Sequence, residues 1–203
     1  DHNSTLNADV TRRLGEKVGL HVLMGAEVTT KEEVHCLSFM PTVEKLAEFQ
    51  AFLDSRVIYF ENDVDKFGYQ LVVDEEENVL DEVPRLLMNA LDLPMLELQQ
   101  KVYEMGGIFI PAHIDRSTFS LSSQLGFVPD KLKFHAMELS SNCRRNNYKF
   151  LSDCPWFSDF NFIQSSDAHY VEDIAKIHSV LEMPFFSFDN FKDALRPGEQ
   201  VIL

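Results

Sequence analysis

Apolar positions first recur at helical spacing in Val10, Leu14 and Val18, which predicts an amphipathic helix over residues 8–18, closed by Gly19. Two apolar runs follow, Leu20 to Ala26 and Val34 to Met40, each with the length of a buried strand. Pro41-Thr42 opens a second helix through Leu46, Phe49, Phe52 and Leu53, ending near Arg56. Residues 57–67 hold no clear period and read as loop plus a short helix. Residues 68–73 and 78–83 flank the acidic turn Asp74-Glu75-Glu76-Glu77 and read as a small β-hairpin. Pro94 stands at the first turn of a helix that reaches Met105, stopped by Gly106-Gly107. Ile108 to Pro111, Ala136 to Leu139 and Asn161 to Gln164 read as short strands, with a short helix at 120–125 and a helical turn or two at 147–152. Short helices at 172–174 and 188–195 then enclose a strand at 177–181.

Strands alternating with helices predict a parallel α/β arrangement, either a barrel or a doubly wound sheet, and periodicity alone does not choose between them. No repeat, low-complexity tract or linker divides the chain, so residues 1–203 read as one domain with a sizeable core. Residues 57–93 exceed what a simple βα connection needs and read as an insertion or lid. Seventeen phenylalanines assign much of the core to aromatic packing.

The formal net charge of −15 argues against tight binding to long nucleic acid, which calls for a basic track. A small phosphorylated substrate stays open, because bound cations reverse a local potential. Cys36, Cys143 and Cys154 are odd in number and widely spaced, which suits a reducing compartment better than a disulfide framework. Cys36 directly follows His35, so on a strand it faces the opposite side, towards the core. No apolar run approaches the ~18 residues of a membrane span, so a cytoplasmic protein without membrane contact is expected.

The candidate chemistry lies in four separated segments: Asp1-His2, Glu27 with His35, His113, and Asp167 with His169. Imidazole nitrogen and carboxylate oxygen suit Zn, Mn or Fe, and no thiolate cluster competes with them. Glu27, His113, Asp167 and His169 are expected just beyond strand ends, where a β/α barrel carries its catalytic groups. The i, i+2 spacing of Asp167 and His169 puts both on one side of an extended backbone. Taken singly, a histidine such as His113 is more often a hydrogen-bonded structural residue than a ligand; agreement among the segments reverses that weighting. His21, His135 and His178 stand outside the segments and read as structural. Arg116 is a candidate phosphate clamp, since a guanidinium matches phosphate oxygens, with a surface ion pair as the plain alternative. Arg144 and Arg145 are weaker candidates for that role, and Asp115 is expected to orient Arg116 or a neighbouring ligand.

Asp1-His2-Asn3-Ser4, Gly25-Ala26-Glu27, His35, Pro111-Ala112-His113 and Ser166-Asp167-Ala168-His169, in this order, resemble the PHP domain (polymerase and histidinol phosphatase) along nearly the whole chain. The resemblance implies a distorted (β/α)7 barrel whose cluster of up to three divalent metal ions hydrolyses phosphate esters. It implies that Glu27 bridges two metals, that His35 and His113 complete the second, that Asp167 binds the first, and that His2 and His169 bind the third. The family's opening His-x-His, at the end of a first strand, would precede Asp1. It is absent, so that strand is expected to be missing and only the second site to be complete.

The expected activity is a metal-dependent phosphoesterase that cleaves a small metabolite or short nucleotide through a hydroxide bridged by two cations, with Glu27, Asp167 and Arg116 as the catalytic residues. A non-catalytic metal-binding or regulatory module is the alternative. An amidohydrolase-type enzyme ranks last, because Glu27 stands where a carboxylated lysine is expected. Composition and pattern leave the oligomeric state open.

Overall fold

A computed structural model describes residues 2–146, 148–157, 159–196 and 201–202, with the side chain of Arg144 outside the description. The chain divides into two compact units, Asp1–Glu32 with Leu37–Gly107, and Glu33–Cys36 with Ile108–Leu203.

In the first unit, α1 (Ala8–Lys17) is followed by β1 (Met24–Thr29) and β2 (His35–Met40). The first two residues of β2 count with the second unit. Only Val10 of the expected α1 stripe is buried; Leu14 and Val18 are exposed. Strand β1 begins four residues later than the apolar run suggested, and Leu20 is exposed. Gly25 explains the close fit of β1 against β2, because a Cβ there would stand 2.1 Å from the Ser38 carbonyl oxygen. Along β2 the burial alternates, with Cys36, Ser38 and Met40 inside, as a pleated strand requires.

Helix α2 (Val43–Asp54) starts where Thr42 accepts the Lys45 N–H at 3.2 Å, and it buries Leu46, Phe49 and Leu53. Next come α3 (Val64–Phe67) and the antiparallel hairpin of β3 (Leu71–Val73) and β4 (Val79–Glu82). Residues 60–62 run antiparallel to 84–86 through Asn62 N–H to Pro84 O and Leu86 N–H to Phe60 O, both 2.8 Å. This segment is tied to the start of the chain: Asn7 donates to Leu71 O at 2.9 Å and accepts from Val73 N–H at 3.1 Å. Helix α4 (Met95–Glu104) begins immediately after Pro94 and buries Met95, Leu98 and Val102.

The second unit opens with β5 (Ile108–Pro111), buried throughout, then α5 (Leu121–Gln124), whose N-terminus carries a reciprocal Ser120–Ser123 capping box. Strand β6 (Met137–Leu139) leads through α6 (Ser141–Arg145) and α7 (Lys149–Asp153) to β7 (Phe162–Gln164). Strands β6 and β7 pair in parallel, with Glu138 opposite Ile163. Strand β8 (Val180–Leu181), α8 (Phe188–Ala194) and β9 (Val201–Ile202) complete the unit, β8 and β9 pairing antiparallel.

The mixed α/β character expected is present, and the (β/α)7 barrel is not confirmed. The strands fall into separate sheets ordered β1–β2–β5, β3–β4, β6–β7 and β8–β9, and no closed sheet is formed among the described residues. Strands β6 and β7 have three residues each and β8 and β9 two, so each of these pairs is a separate short ladder. No described helix is long and apolar enough to cross a membrane.

Candidate metal centre

The residues ahead of α1 lie alongside β1. His2 and Glu27 form an isolated parallel bridge, and Asn3 N–H donates to Glu27 O at 3.0 Å. That pairing puts His2 Nδ1 3.8 Å from Glu27 Oε2. Glu27 is therefore inside a strand, not beyond its end as expected. Its burial neighbours explain its direction: Ala26 and Val28 face the core, so Glu27 faces away from it. The chain turns through Thr30 to Val34 and re-enters the sheet at His35. One ligand atom each from His2, Glu27 and His35 lies within 4.8 Å of the other two. Two imidazoles and a carboxylate, all partly exposed, fit a divalent cation and leave positions open for further ligands.

Asn3, quoted above only as part of the Asp1-His2-Asn3-Ser4 motif, holds this corner in place. It is buried, adopts φ +52°, donates to Leu87 O at 2.7 Å and Asn89 O at 2.8 Å, and accepts from Thr29 N–H at 2.8 Å. One side chain thus fixes the loop after His2 to both β1 and the end of the 57–93 segment. Beside it, a cavity of about 380 Å³ is lined by His2, Leu6, Phe67, Tyr69, Leu71 and Met88 among others.

In the second unit, the His35 ring stacks on Phe119 at 4.9 Å and meets the His113 ring edge-on at 5.3 Å. Ala112 N–H donates to His35 O at 2.9 Å, which aligns the end of β5 with the start of β2. His113 is 2% exposed and has φ +32°, an unfavourable conformation for a residue with a Cβ. Its N–H donates to the Glu138 carboxylate at 3.1 Å, and the other Glu138 oxygen accepts from the Ser165 hydroxyl. Neither Glu138 nor Ser165 was foreseen. The available signal was a charged residue inside the apolar run 136–139, since a buried Glu must be paired.

Asp167 also has positive φ, +46°, and its carboxylate is ion-paired with Arg116. His169 is 68% exposed, with Nδ1 2.9 Å from Asp167 O. The group formed by His2, Glu27 and His35 includes none of His113, Asp167 and His169. Asp115 does not orient Arg116. Its two oxygens accept from Ser140 N–H and Ser140 Oγ, each at 2.6 Å, because the carboxylate reaches the end of β6. Arg145 is exposed, and its guanidinium lies 3.4 Å from Asn142 Oδ1. Asp1 and the Arg144 side chain lie outside the described residues.

The structural reading of His135 has a direct basis. Its Nδ1 accepts Phe109 N–H at 3.2 Å, and burial, aided by Lys192, lowers its pKa to about 4. Cys36, Cys143 and Cys154 form no disulfide among the described residues; burial, helped by Asp115, raises the Cys143 thiol to about 11, so it is not a ready nucleophile.

No family model matches the chain. In sequence it is 28% identical over 185 residues to the uncharacterized protein YqxK of Bacillus subtilis, covering 86% of this chain and 41% of YqxK. In structure it resembles the lesion-specific endonuclease Q of Pyrococcus furiosus, with TM-score 0.59, 17% identity, and coverage of 87% of this chain and 39% of that one. A second endonuclease Q structure, complexed with a 27-mer duplex bearing an abasic lesion at the active site, matches with TM-score 0.60 and 17% identity over 98% of this chain and 51% of that one. A Bifidobacterium adolescentis protein assigned as a metal-dependent phosphoesterase matches with TM-score 0.51 and 15% identity over 96% and 83%. The chain thus spans about two fifths of YqxK, and at these identities the structural likenesses define a shared fold.

One expectation is overturned by these matches. The exclusion of long nucleic acid rested on net charge, yet a protein of this fold is seen holding a DNA duplex. The charge is unevenly spread: residues 57–93 carry ten acidic side chains against two basic ones, and residues 108–203 carry twelve against nine. A total of −15 therefore describes no particular surface.

Proposed function

We propose that this chain carries the metal-binding site of a PHP-type phosphoester hydrolase, and that its substrate is a phosphodiester in nucleic acid. The observation that carries the reading is the convergence of His2, Glu27 and His35 on one point, in a fold shared with endonuclease Q and a metal-dependent phosphoesterase. In this reading those three residues hold one divalent ion, His113 lies close enough to His35 to join them, and Asp167 with His169 offer a further pair. Bound divalent cations would supply Lewis acidity towards phosphate oxygens and lower the pKa of water. Arg116 takes the phosphate once its guanidinium is released from Asp167. Arg116 lines a cavity of about 480 Å³ with Asp115, Ser117, Thr118, Ser140, Asn142 and Asn146, whose hydroxyl and amide groups can meet a phosphate backbone. Phe67, Tyr69, Leu71 and Met88 line the cavity beside His2, and a base or sugar can pack against them.

The test is Mn²⁺-dependent turnover of three substrates in parallel: a duplex oligonucleotide with one abasic site, the same duplex undamaged, and p-nitrophenyl phosphate. Nicking of the lesion duplex is expected, and Glu27→Ala should reduce it by more than about 100-fold. Equal turnover by the variant would overturn the assignment. Turnover of p-nitrophenyl phosphate without nicking would instead return the substrate to small phosphate esters. A second reading, metal binding without catalysis, is favoured by the engagement of Asp167 with Arg116; it predicts Mn²⁺ binding and no turnover of any of the three.

A further inference from the structure

We infer that Glu138 is a positioning residue for the metal centre: one buried carboxylate that ties the loop carrying His113 to the loop carrying Asp167 and His169. The inference rests on the proposed reading of those residues as ligands. Glu138 lies in the middle of β6 and is 4% exposed. Its oxygens serve different loops. Oε2 accepts the N–H of His113, two residues past β5, and Oε1 accepts the hydroxyl of Ser165, one residue past β7. Its own carbonyl accepts Ile114 N–H at 2.8 Å, so the residue grips the β5 loop twice.

Both loops contain a non-glycine residue in the left-handed region, His113 at φ +32° and Asp167 at +46°. Such conformations persist only where the surroundings over-determine them. For His113 they include the Glu138 carboxylate, which accepts its N–H, and the Glu138 carbonyl, which accepts the next N–H, that of Ile114. The β6–β7 ladder fixes Glu138 opposite Ile163, so the distance from β6 to Ser165 is set by backbone pairing. Two loops that a chain of short strands would leave independent therefore share one anchor, and the imidazole of His113 is aimed by it.

The chemistry of the partners separates a strut from a ligand. A backbone N–H can only donate, whereas the Ser165 hydroxyl can turn to accept. In Glu138→Gln the amide oxygen still accepts from His113 N–H, and the amide NH₂ donates to Ser165. Glutamine should therefore preserve the tie, and alanine should break it.

The experiment measures Mn²⁺ affinity by calorimetry, kcat and KM, and amide exchange at His113, in wild type, Glu27→Ala, Glu138→Ala, Glu138→Gln and Ser165→Ala. Glu138→Ala is expected to lose about 10–100-fold in Mn²⁺ affinity and in kcat, with KM little moved and His113 amide exchange accelerated. Glu138→Gln should stay near wild type, and Ser165→Ala should fall between. Wild-type affinity and exchange in Glu138→Ala would overturn the inference, as would a Glu138→Gln variant as impaired as alanine, which would make the charge itself the requirement. Should Glu138→Ala not fold, the other two variants decide: a weakened Ser165→Ala beside an intact Glu138→Gln supports the tie, and two wild-type profiles refute it. A Glu27→Ala variant that binds Mn²⁺ as wild type does would sink the metal reading and this inference together, whereas loss in Glu27→Ala with none in Glu138→Ala sinks this inference alone.

Discussion

The two units hold their candidate ligands by different physical means. In the first, His2 and Glu27 are placed by backbone pairing, and Asn3 beside them, on left-handed backbone, is secured by three hydrogen bonds of its own side chain. In the second, His113 and Asp167 follow short strands and stand on left-handed backbone, and carboxylates tie the loops around them: Glu138 to His113 and Ser165, Asp115 to Ser140. A ligand set by backbone pairing depends little on which side chains surround it. A ligand set by a buried side-chain tie is sensitive to substitutions at positions that never touch the metal.

The sharpest way to break the first arrangement is Asn3→Ala. It removes one acceptor and two donors from a buried corner and should cost about 3–4 kcal/mol, read by urea denaturation. Gly25→Ala attacks the same unit through the ladder itself. A Cβ 2.1 Å from the Ser38 carbonyl must spread β1 from β2, at a cost of about 2–3 kcal/mol, with Mn²⁺ binding weakened because Glu27 is two residues away. An Asn3→Ala variant of wild-type stability would show that pairing alone suffices.

In the second unit, pH is the probe. The folded pKa of His135, about 4, lies below its ordinary value near 6.5, so the unfolded chain takes up the proton first. Stability from this group is complete above pH ~6.5 and drains away as pH falls towards 4. The loss is about 2 kcal/mol after allowance for partial exposure. Asparagine can accept the Phe109 N–H in place of the imidazole, so His135→Asn should flatten the dependence in that window. Arg116→Ala has the smallest expected effect, a KM rise of about tenfold, or ~1.4 kcal/mol. Folding stability should change by less than ~1 kcal/mol, since the ion pair with Asp167 is partly exposed. A change in kcat alone would deny Arg116 its phosphate-binding role.

The legible parts of this protein are those whose causes are local. Thr42, Pro94 and Ser120 start helices where their side chains or ring allow it, and β5 covers the four apolar residues read for it. His35 and Cys36 fall on opposite faces of β2 because alternation needs no tertiary information. Strand β1 was displaced because an apolar run does not say which of its residues will find a partner. Leu20 remains exposed, while Thr29, a polar residue, is buried in the strand. Helix α6 was missed because five residues carry no helical period.

What the sequence determined by itself is the order of donors, His2, Glu27, His35, His113, Asp167 and His169, and the short strands and loops that carry them. Tertiary structure alone decided that the first three meet within 4.8 Å, that Arg116 pairs with Asp167 and not Asp115, and that Glu138 and Asn3 secure the loops. The reason is physical. Donor type and strand propensity belong to single residues and their near neighbours. A buried carboxylate acquires its role only when distant chain segments bring it the hydrogen-bond donors that make its burial tolerable.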